Sequence, residues 1–329
     1  LGVYSPGTAY VLLHHAMGDV DGNVGSWGFA RGGMGSVAAA LSSSFLSFGG
    51  TIRKSSEVKK IIVSNQTATG VELVSGEIIN AKAIISNLDA KRTFLKIIDE
   101  SDLPEDIVKR AKNFKIRGSS GKVNIALDGM PIFPALPEKS PLTLGHMHFS
   151  DTLERLERAY DDWKDDRWSS DPYVDMVIPT QYDPTMAPPG KHMMSVFVQY
   201  CPVSPEGGWD DKKKKAFGDT VINQIGDYSP NFKDLILHAE IRTPHEIEKE
   251  VGLTEGNIFQ GELTLDQLMF NRPFPGYAQY RGPLKRMYMC SSSNHPGGGV
   301  MGAPGANAAR EILRDFKRKN TTPEDFGDD

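Results

Sequence analysis

Residues 288–309 carry the segment that most constrains how this chain can fold. Tyr288-Met289-Cys290 leads through Ser291-Ser292-Ser293-Asn294-His295 into Pro296-Gly297-Gly298-Gly299-Val300-Met301-Gly302, and Ala303-Pro304-Gly305-Ala306-Asn307 follows. The order reads as a short apolar strand, a glycine-rich turn and a helix start. Glycine allows positive φ and lets backbone N–H groups approach a ligand without a Cβ in the way. The helix start adds the positive end of its dipole. Together they predict a site for a phosphate or a dinucleotide. A tight strand-to-helix turn that needs glycine only for its conformation is the alternative.

Gly297, Gly299 and Gly302 match the Gly-x-Gly-x-x-Gly spacing. A dinucleotide fingerprint of that form opens a strand–helix–strand unit, with an acidic residue about 20 positions further on. Here the predicted helix, Gly305 to Phe316, runs into Lys317-Arg318-Lys319-Asn320 and a polar, acidic tail. No second strand follows it, so the segment is read as an anion-facing helix start and not as a primary nucleotide fingerprint.

With 329 residues the chain can bury a sizeable core, and two structural units of about 150 residues each are expected. Its 39% hydrophobic and 24% charged residues place it in the ordinary globular class. A net charge of -5 offers no basic face for neutralising a phosphate backbone, which argues against nucleic-acid binding. Cys201 and Cys290 form no Cys-x-x-Cys, so a disulfide framework, a zinc site and a redox dithiol are all disfavoured and no metal is expected. No run approaches the ~18 apolar residues of a membrane span, and no signal peptide is visible. A cytoplasmic location is the default expectation.

Along the chain, Ala9 to Met17 reads as a helix followed by a glycine-rich loop. Gly32-Gly33-Met34-Gly35 precedes Ser36, a good N-cap, and Val37, Ala40, Leu41, Ser44, Phe45 and Phe48 then recur at helical spacing up to a Gly49-Gly50 C-cap. Strands are expected over 51–53, 58–63, 70–74, 77–79 and 83–86, with turns at Asn65-Gln66 and Ser75-Gly76. Helices should occupy 90–115, and Lys122 to Leu127 alternates like a strand. The charged segment 150–168 reads as an amphipathic helix with Trp163 and Trp168 facing inward. Strands at 173–179 and 192–200, a helix at 212–228 and a strand at 235–243 complete the pattern.

This order of elements resembles the phytoene dehydrogenase-like FAD-dependent oxidoreductases, within the wider group of amine oxidases and carotenoid desaturases. The resemblance rests on Gly32-Gly33-Met34-Gly35, Gly49-Gly50, the strand around Val58, Gly70-Val71 and Ile84-Ile85-Ser86-Asn87-Leu88-Asp89. The segment 258–268, Asn271-Arg272-Pro273 and His295-Pro296-Gly297-Gly298-Gly299-Val300 are similar to one branch of that family, labelled after pyridine nucleotide-disulfide oxidoreductases. Despite the label, the missing Cys-x-x-Cys speaks against disulfide chemistry.

The resemblance implies an α/β (α+β) fold in which an incomplete Rossmann-like FAD-binding domain is interleaved with a substrate domain of mixed sheet and helices. Residues 1–30 and 96–283 would belong to the substrate domain, 31–95 and 284–318 to the FAD-binding domain, and 319–329 would form the polar tail. FAD is the implied cofactor. Val58 would lie on the strand meeting its adenine end, and Ser86 and Asn87 near its site. Ser292, Gly297, Gly298, Gly299, Val300, Met301, Gly302 and Asn307 would cradle its ribityl and phosphate side. Relatives carry glycine where Ser291 stands. The family's own fingerprint lies near its N-terminus and is absent here, so the chain is read as the C-terminal portion of a longer flavoprotein, inactive without the rest.

The implied reaction is oxidation or desaturation of a small apolar substrate by hydride transfer to flavin. His295 could face the flavin or merely cap the turn. Arg272 could orient a polar substrate group, although an ion pair with Asp266 or Glu262 is the commoner role for such a side chain. The charged 150–168 segment gives no support to a membrane-touching face, so peripheral membrane contact stays open. A non-catalytic substrate- or partner-binding module is the competing reading. Self-association or a complementing N-terminal chain is the expected partnership in either case.

Overall fold

The computed structural model describes residues 1–137 and 140–318. Two compact units thread through one another along the chain. One comprises Leu1–Thr8, Leu12–Ile52 and Gly118–Gly256; the other comprises Ala9–Val11, Arg53–Arg117 and the residues from Asn257 onward. These cuts differ from the segments read in the sequence: residues 31–52 join the first unit, while 96–117 and 257–283 join the second. The segment 319–329, read as a polar tail, lies outside the described residues.

The first unit is built on a five-stranded sheet. Its order is Ile236–Arg242, Ser120–Leu127, His192–Gln199, Tyr173–Val177 and Met147–His148, all antiparallel. Strict alternation fixes the faces, because successive side chains in a strand point opposite ways and directly paired residues share a face. Val196 lies opposite Val123 and Met176, and all three are buried. On the other face Phe197 lies opposite Lys122 and Asp175, and Ser195 opposite Asn124.

The apolar face is covered by the Asp211–Tyr228 helix, whose Phe217, Val221 and Ile225 join the same core. Asp210 starts this helix by accepting from Lys213 N at 2.7 Å. Each such side chain contributes about 1.5–3 kcal/mol by leaving water. The charged segment forms the Leu153–Lys164 helix, capped by the Thr152 hydroxyl. Trp163 is buried, its Nε1 donating to Gly118 O at 3.0 Å, while the half-buried Trp168 stacks on Trp209 at 5.5 Å.

The Gly35–Ser47 helix departs from expectation at both its start and its packing. Ser36 is not the N-cap: it lies inside the first turn, and its hydroxyl donates to Gly33 O at 2.7 Å. The C-terminus forms as read, with Gly49 at φ +83° and its N–H bonded to Leu46 O. No residue of the helix is buried, and Leu41, Phe45 and Leu46 are more than half exposed.

The second unit contains an antiparallel meander of Val58–Ser64, Thr67–Leu73 and Ile78–Asn80. The strand expected over 51–53 does not form. Ile84–Ser86 pairs in parallel with Met287–Met289, some 200 positions away in the chain. The helices Ala90–Leu95 and Glu105–Asn113 pack Phe94, Ile107 and Ala111 into one core with Ile61, Ala68, Phe114 and Met287. Asp89 caps the first of them through Arg92 N at 2.9 Å. Cys290 N donates to Ser86 O at 2.9 Å, which sets the two strand ends side by side. Among the described residues no helix is long and apolar enough to cross a membrane, and no group of three or more His, Cys, Asp or Glu could hold a metal ion.

Phe217 tests the first core. It is fully buried and meets Trp168 and Trp209 edge-to-face at 6.3 and 6.1 Å. Phe217→Ala should destabilise the chain by about 3–5 kcal/mol, measured by urea unfolding followed through tryptophan fluorescence.

Candidate cofactor site

The parallel pair ends at a cleft of about 390 Å³ in the second unit. Its lining is Asn87 from one strand end, Cys290 and Ser292 from the other, the turn from Gly297 to Gly302, and Pro304 and Gly305 of the following helix. Gly297 and Gly299 stand at φ +103° and +129°, regions where an L side chain would cost about 1–3 kcal/mol. At Gly298 an added Cβ would lie 3.1 Å from the Phe259 ring. The Ala303–Arg318 helix begins directly after the turn, so its unpaired first-turn N–H groups and dipole end belong to the same corner.

Arg272 holds the turn in place. It is fully buried, and its donors serve main-chain carbonyls alone. Nε and Nη2 bond Ser292 O at 3.0 and 2.8 Å; Nη2 also reaches Phe259 O and Gly261 O, and Nη1 reaches Glu262 O and Gln267 O. The expected ion pair with Asp266 or Glu262 therefore does not form. The Asp266 carboxylate binds Lys115 at 2.8 Å, and that of Glu262 binds Arg117 at 3.1 Å. Burial pulls the Arg272 guanidinium down to about 10, still above neutrality, so the buried group remains a cation. Because every N–H is engaged within the protein, none is left for a substrate group.

Neighbouring bonds complete the frame. Ser293 Oγ donates to Gln260 O at 2.6 Å and accepts from Ala90 N, and Ser292 N donates to Gln260 Oε1. Tyr280 OH donates to His295 O, and Asn307 Nδ2 to Tyr280 OH, both at 2.8 Å. Further along the helix, Asp315 accepts from Arg281 and from Tyr288 OH, which ties the helix back to its strand. Ser291 is buried, and its hydroxyl accepts from Ser293 N at 3.2 Å.

Asn87, Ser292, Gly297, Gly298, Gly299, Val300, Met301 and Gly302 thus line the cleft as read from the sequence. Val58, Ser86, Asn307, His295 and Arg272 are not among its lining residues. Val58 pairs with Leu73 in the meander, and the Ser86 hydroxyl is occupied with Thr93 at 2.8 Å. Asn307 and the His295 carbonyl are used to brace the turn. Cys290, Pro304 and Gly305 were missed, although their positions at the strand end and helix start announce them. Burial raises the Cys290 thiol, which keeps it in the poorly nucleophilic form.

The cleft suits a phosphate-bearing cofactor. Its lining contains no carboxylate that would repel an anion, and it lies beside a helix start, with the Gly297 N–H already spent on Asn294 O at 2.8 Å. Close to it Asn294 is fully buried, with both side-chain amide atoms lacking a hydrogen-bond partner among the described residues. A family described as flavin containing amine oxidoreductase matches residues 4–238, well over half of the chain. The chain belongs to that family.

It is 39% identical, over 95% of its own length and 56% of the relative's, to pyridine nucleotide-disulfide oxidoreductase domain-containing protein 2 of Rattus norvegicus. Prolycopene isomerase 2 of an Oncidium hybrid cultivar is 24% identical over 95% of this chain and 50% of its own. The chain spans about half the length of the curated relatives it matches. Among solved structures, an oxidoreductase from Methanosarcina mazei (TM-score 0.53, 17% identity, covering 86% of this chain and 55% of that one) shares the fold. Cyclohexylamine oxidase from Brevibacterium oxydans does too (TM-score 0.52, 12% identity, covering 87% and 53%). The resemblance to phytoene dehydrogenase-like flavoproteins, the mixed α/β architecture and a flavin as the family's cofactor are thereby borne out.

The two roles considered for Arg272 separate by mutation. Arg272→Met removes the donors of five main-chain carbonyls, two of them in buried bonds, and should cost at least about 3 kcal/mol. Asp266→Asn, at an exposed pair, should cost less than about 1 kcal/mol. Parallel thermal and urea unfolding of both variants checks the contrast.

Proposed function

We propose that this chain carries the cofactor-cradling and substrate-binding parts of an FAD-dependent oxidoreductase that oxidises or desaturates a small, largely apolar organic substrate. The observation that carries the reading is the acid-free, glycine-lined corner at the start of the Ala303–Arg318 helix, held from behind by Arg272. Main-chain N–H groups of the turn would take a phosphate or the ribityl side of the cofactor, with Asn87 and Ser292 beside them. When bound, the flavin supplies the acceptor for a hydride from a substrate carbon. Arg272 serves as a positioning residue. His295, adjacent to the turn, is the candidate for holding or moving a proton.

The exposed stripe on the Gly35–Ser47 helix supports one further element of this reading: a complementing nucleotide-binding portion that covers Leu41, Phe45 and Leu46. Relatives are nearly twice as long as this chain, which leaves room for such a portion in them.

Titration with FAD, followed through the flavin visible band and tryptophan fluorescence, tests the assignment. Saturable uptake is expected, and Gly299→Val should weaken it at least tenfold by filling the cradle and straining the backbone. If neither this chain nor the complete polypeptide of its reading frame takes up FAD, the reading fails.

A further inference from the structure

The first unit carries a second constellation on the open face of its sheet. Lys122 projects on that face from Ser120–Leu127, the second strand of the sheet, and its Nζ donates to Ser195 Oγ at 2.5 Å. Among the described residues no carboxylate is in ion-pair contact with this ammonium. Asp175, on the same face, is engaged by His146, whose Nδ1 lies 2.9 Å from Oδ1 and 3.1 Å from Oδ2. Aromatic rings stand around His146. Trp27 meets it edge-on at 5.5 Å, Phe29 stacks at 6.1 Å, and Phe29 in turn stacks on Tyr182 at 4.5 Å. Trp27 also stacks on His15 at 5.6 Å, yet Trp27 and Phe29 are each about half exposed, which leaves part of both rings open to a ligand.

We infer that this face binds a planar or apolar organic molecule through a carboxylate at its end, the carboxylate pairing with the Lys122 ammonium and the body lying against Trp27 and Phe29. The Lys122 ammonium is the group that would take an anion. Asp175 on the same face is engaged by His146, and Arg242, opposite Lys122, is already paired with Glu240 and Glu250. Carboxylate hydrogen bonding raises the His146 pKa, whereas burial lowers that of Lys122. A partly desolvated ammonium with one hydroxyl partner gains more from an arriving carboxylate than an exposed lysine would. The aromatic wall accounts for the rest of the ligand, since aromatic faces hold flat apolar bodies at little entropic cost.

This deepens the oxidoreductase reading by giving its apolar substrate an acidic end. That the ligand is the substrate rests on that reading; that the site binds it does not. The probe is benzoate, set against benzylamine of nearly the same shape and opposite charge, titrated into the chain without flavin by calorimetry. Benzoate should bind saturably and at least tenfold more tightly than benzylamine. A lost charge-assisted hydrogen bond costs about 1.5–3 kcal/mol, so Lys122→Met should weaken benzoate at least tenfold, and Lys122→Arg should restore most of the affinity. Phe29→Ala, at a half-exposed position, should weaken both probes without reversing their order, with the fold checked by circular dichroism.

Equal affinity for the two probes, benzoate binding unchanged in Lys122→Met, or no saturable benzoate binding would each overturn the inference. Failure of FAD uptake with benzoate binding intact would count against the flavin reading alone.

Discussion

A buried guanidinium has five N–H donors to satisfy, and Arg272 satisfies them with carbonyls from three separate stretches: 259–262, Gln267 and Ser292. Loops with no regular structure beyond a short 3-10 turn at Leu265–Gln267 are thereby fastened to one rigid planar group. Lysine could not replace it, because a single ammonium on a flexible stem cannot address carbonyls converging from several directions. The cost is a desolvated charge with no acid beside it. Carbonyl dipoles compensate that cost only if all remain aligned, so the loops cannot move independently. The geometry of the glycine turn depends on this clamp, and the start of the terminal helix depends on the turn.

Regular elements were legible because their signals are local. The alternation of Ser120–Leu127 and His192–Gln199, and the helical spacing of Asp211–Tyr228, mark a buried face whatever the rest of the chain does. The glycines from 297 to 302 were legible for a related reason: positive φ is demanded at Gly297, Gly299 and Gly302, and few other residues tolerate it. Arg272 shows where that legibility stops. Its partners are main-chain oxygens, which carry no residue-type signal, whereas Asp266 and Glu262 nearby do. Side-chain reasoning therefore pointed to an ion pair that Lys115 and Arg117 had already taken. Ser36 failed similarly, since the residue type fits a cap but the cap position falls two residues earlier, at Met34. The pairing of Ile84–Ser86 with Met287–Met289 is too short and too remote to announce itself.

Alternation also says more about the sheet than where its core lies. A strand buried on one face reads apolar every second residue, and the intervening positions are free to carry chemistry. In the first unit those positions hold Lys122, Asn124, Asp175 and Ser195, and the pairing register gathers them onto one surface. A sheet that faced only solvent would more naturally place its lysine outward, fully hydrated. Here the Lys122 ammonium is drawn toward Ser195, and a carboxylate–imidazole pair sits on the same face.

The two proposed sites would therefore encode their ligands differently. The cleft in the second unit has no charged side chain in its lining, so the proposed cofactor would be selected there by φ angles and by the absence of Cβ atoms. Such a site would survive many changes of side-chain identity yet fail at a single glycine. The proposed site on the sheet face in the first unit is the reverse: its backbone is ordinary extended strand, and its selectivity would reside in one ammonium, one imidazole–carboxylate pair and aromatic faces. A cofactor common to a whole family is suitably held by the first kind of site, because the backbone geometry can persist while sequences diverge. A substrate particular to one branch is suitably held by the second, where one side chain can alter which ligand is accepted without disturbing the fold.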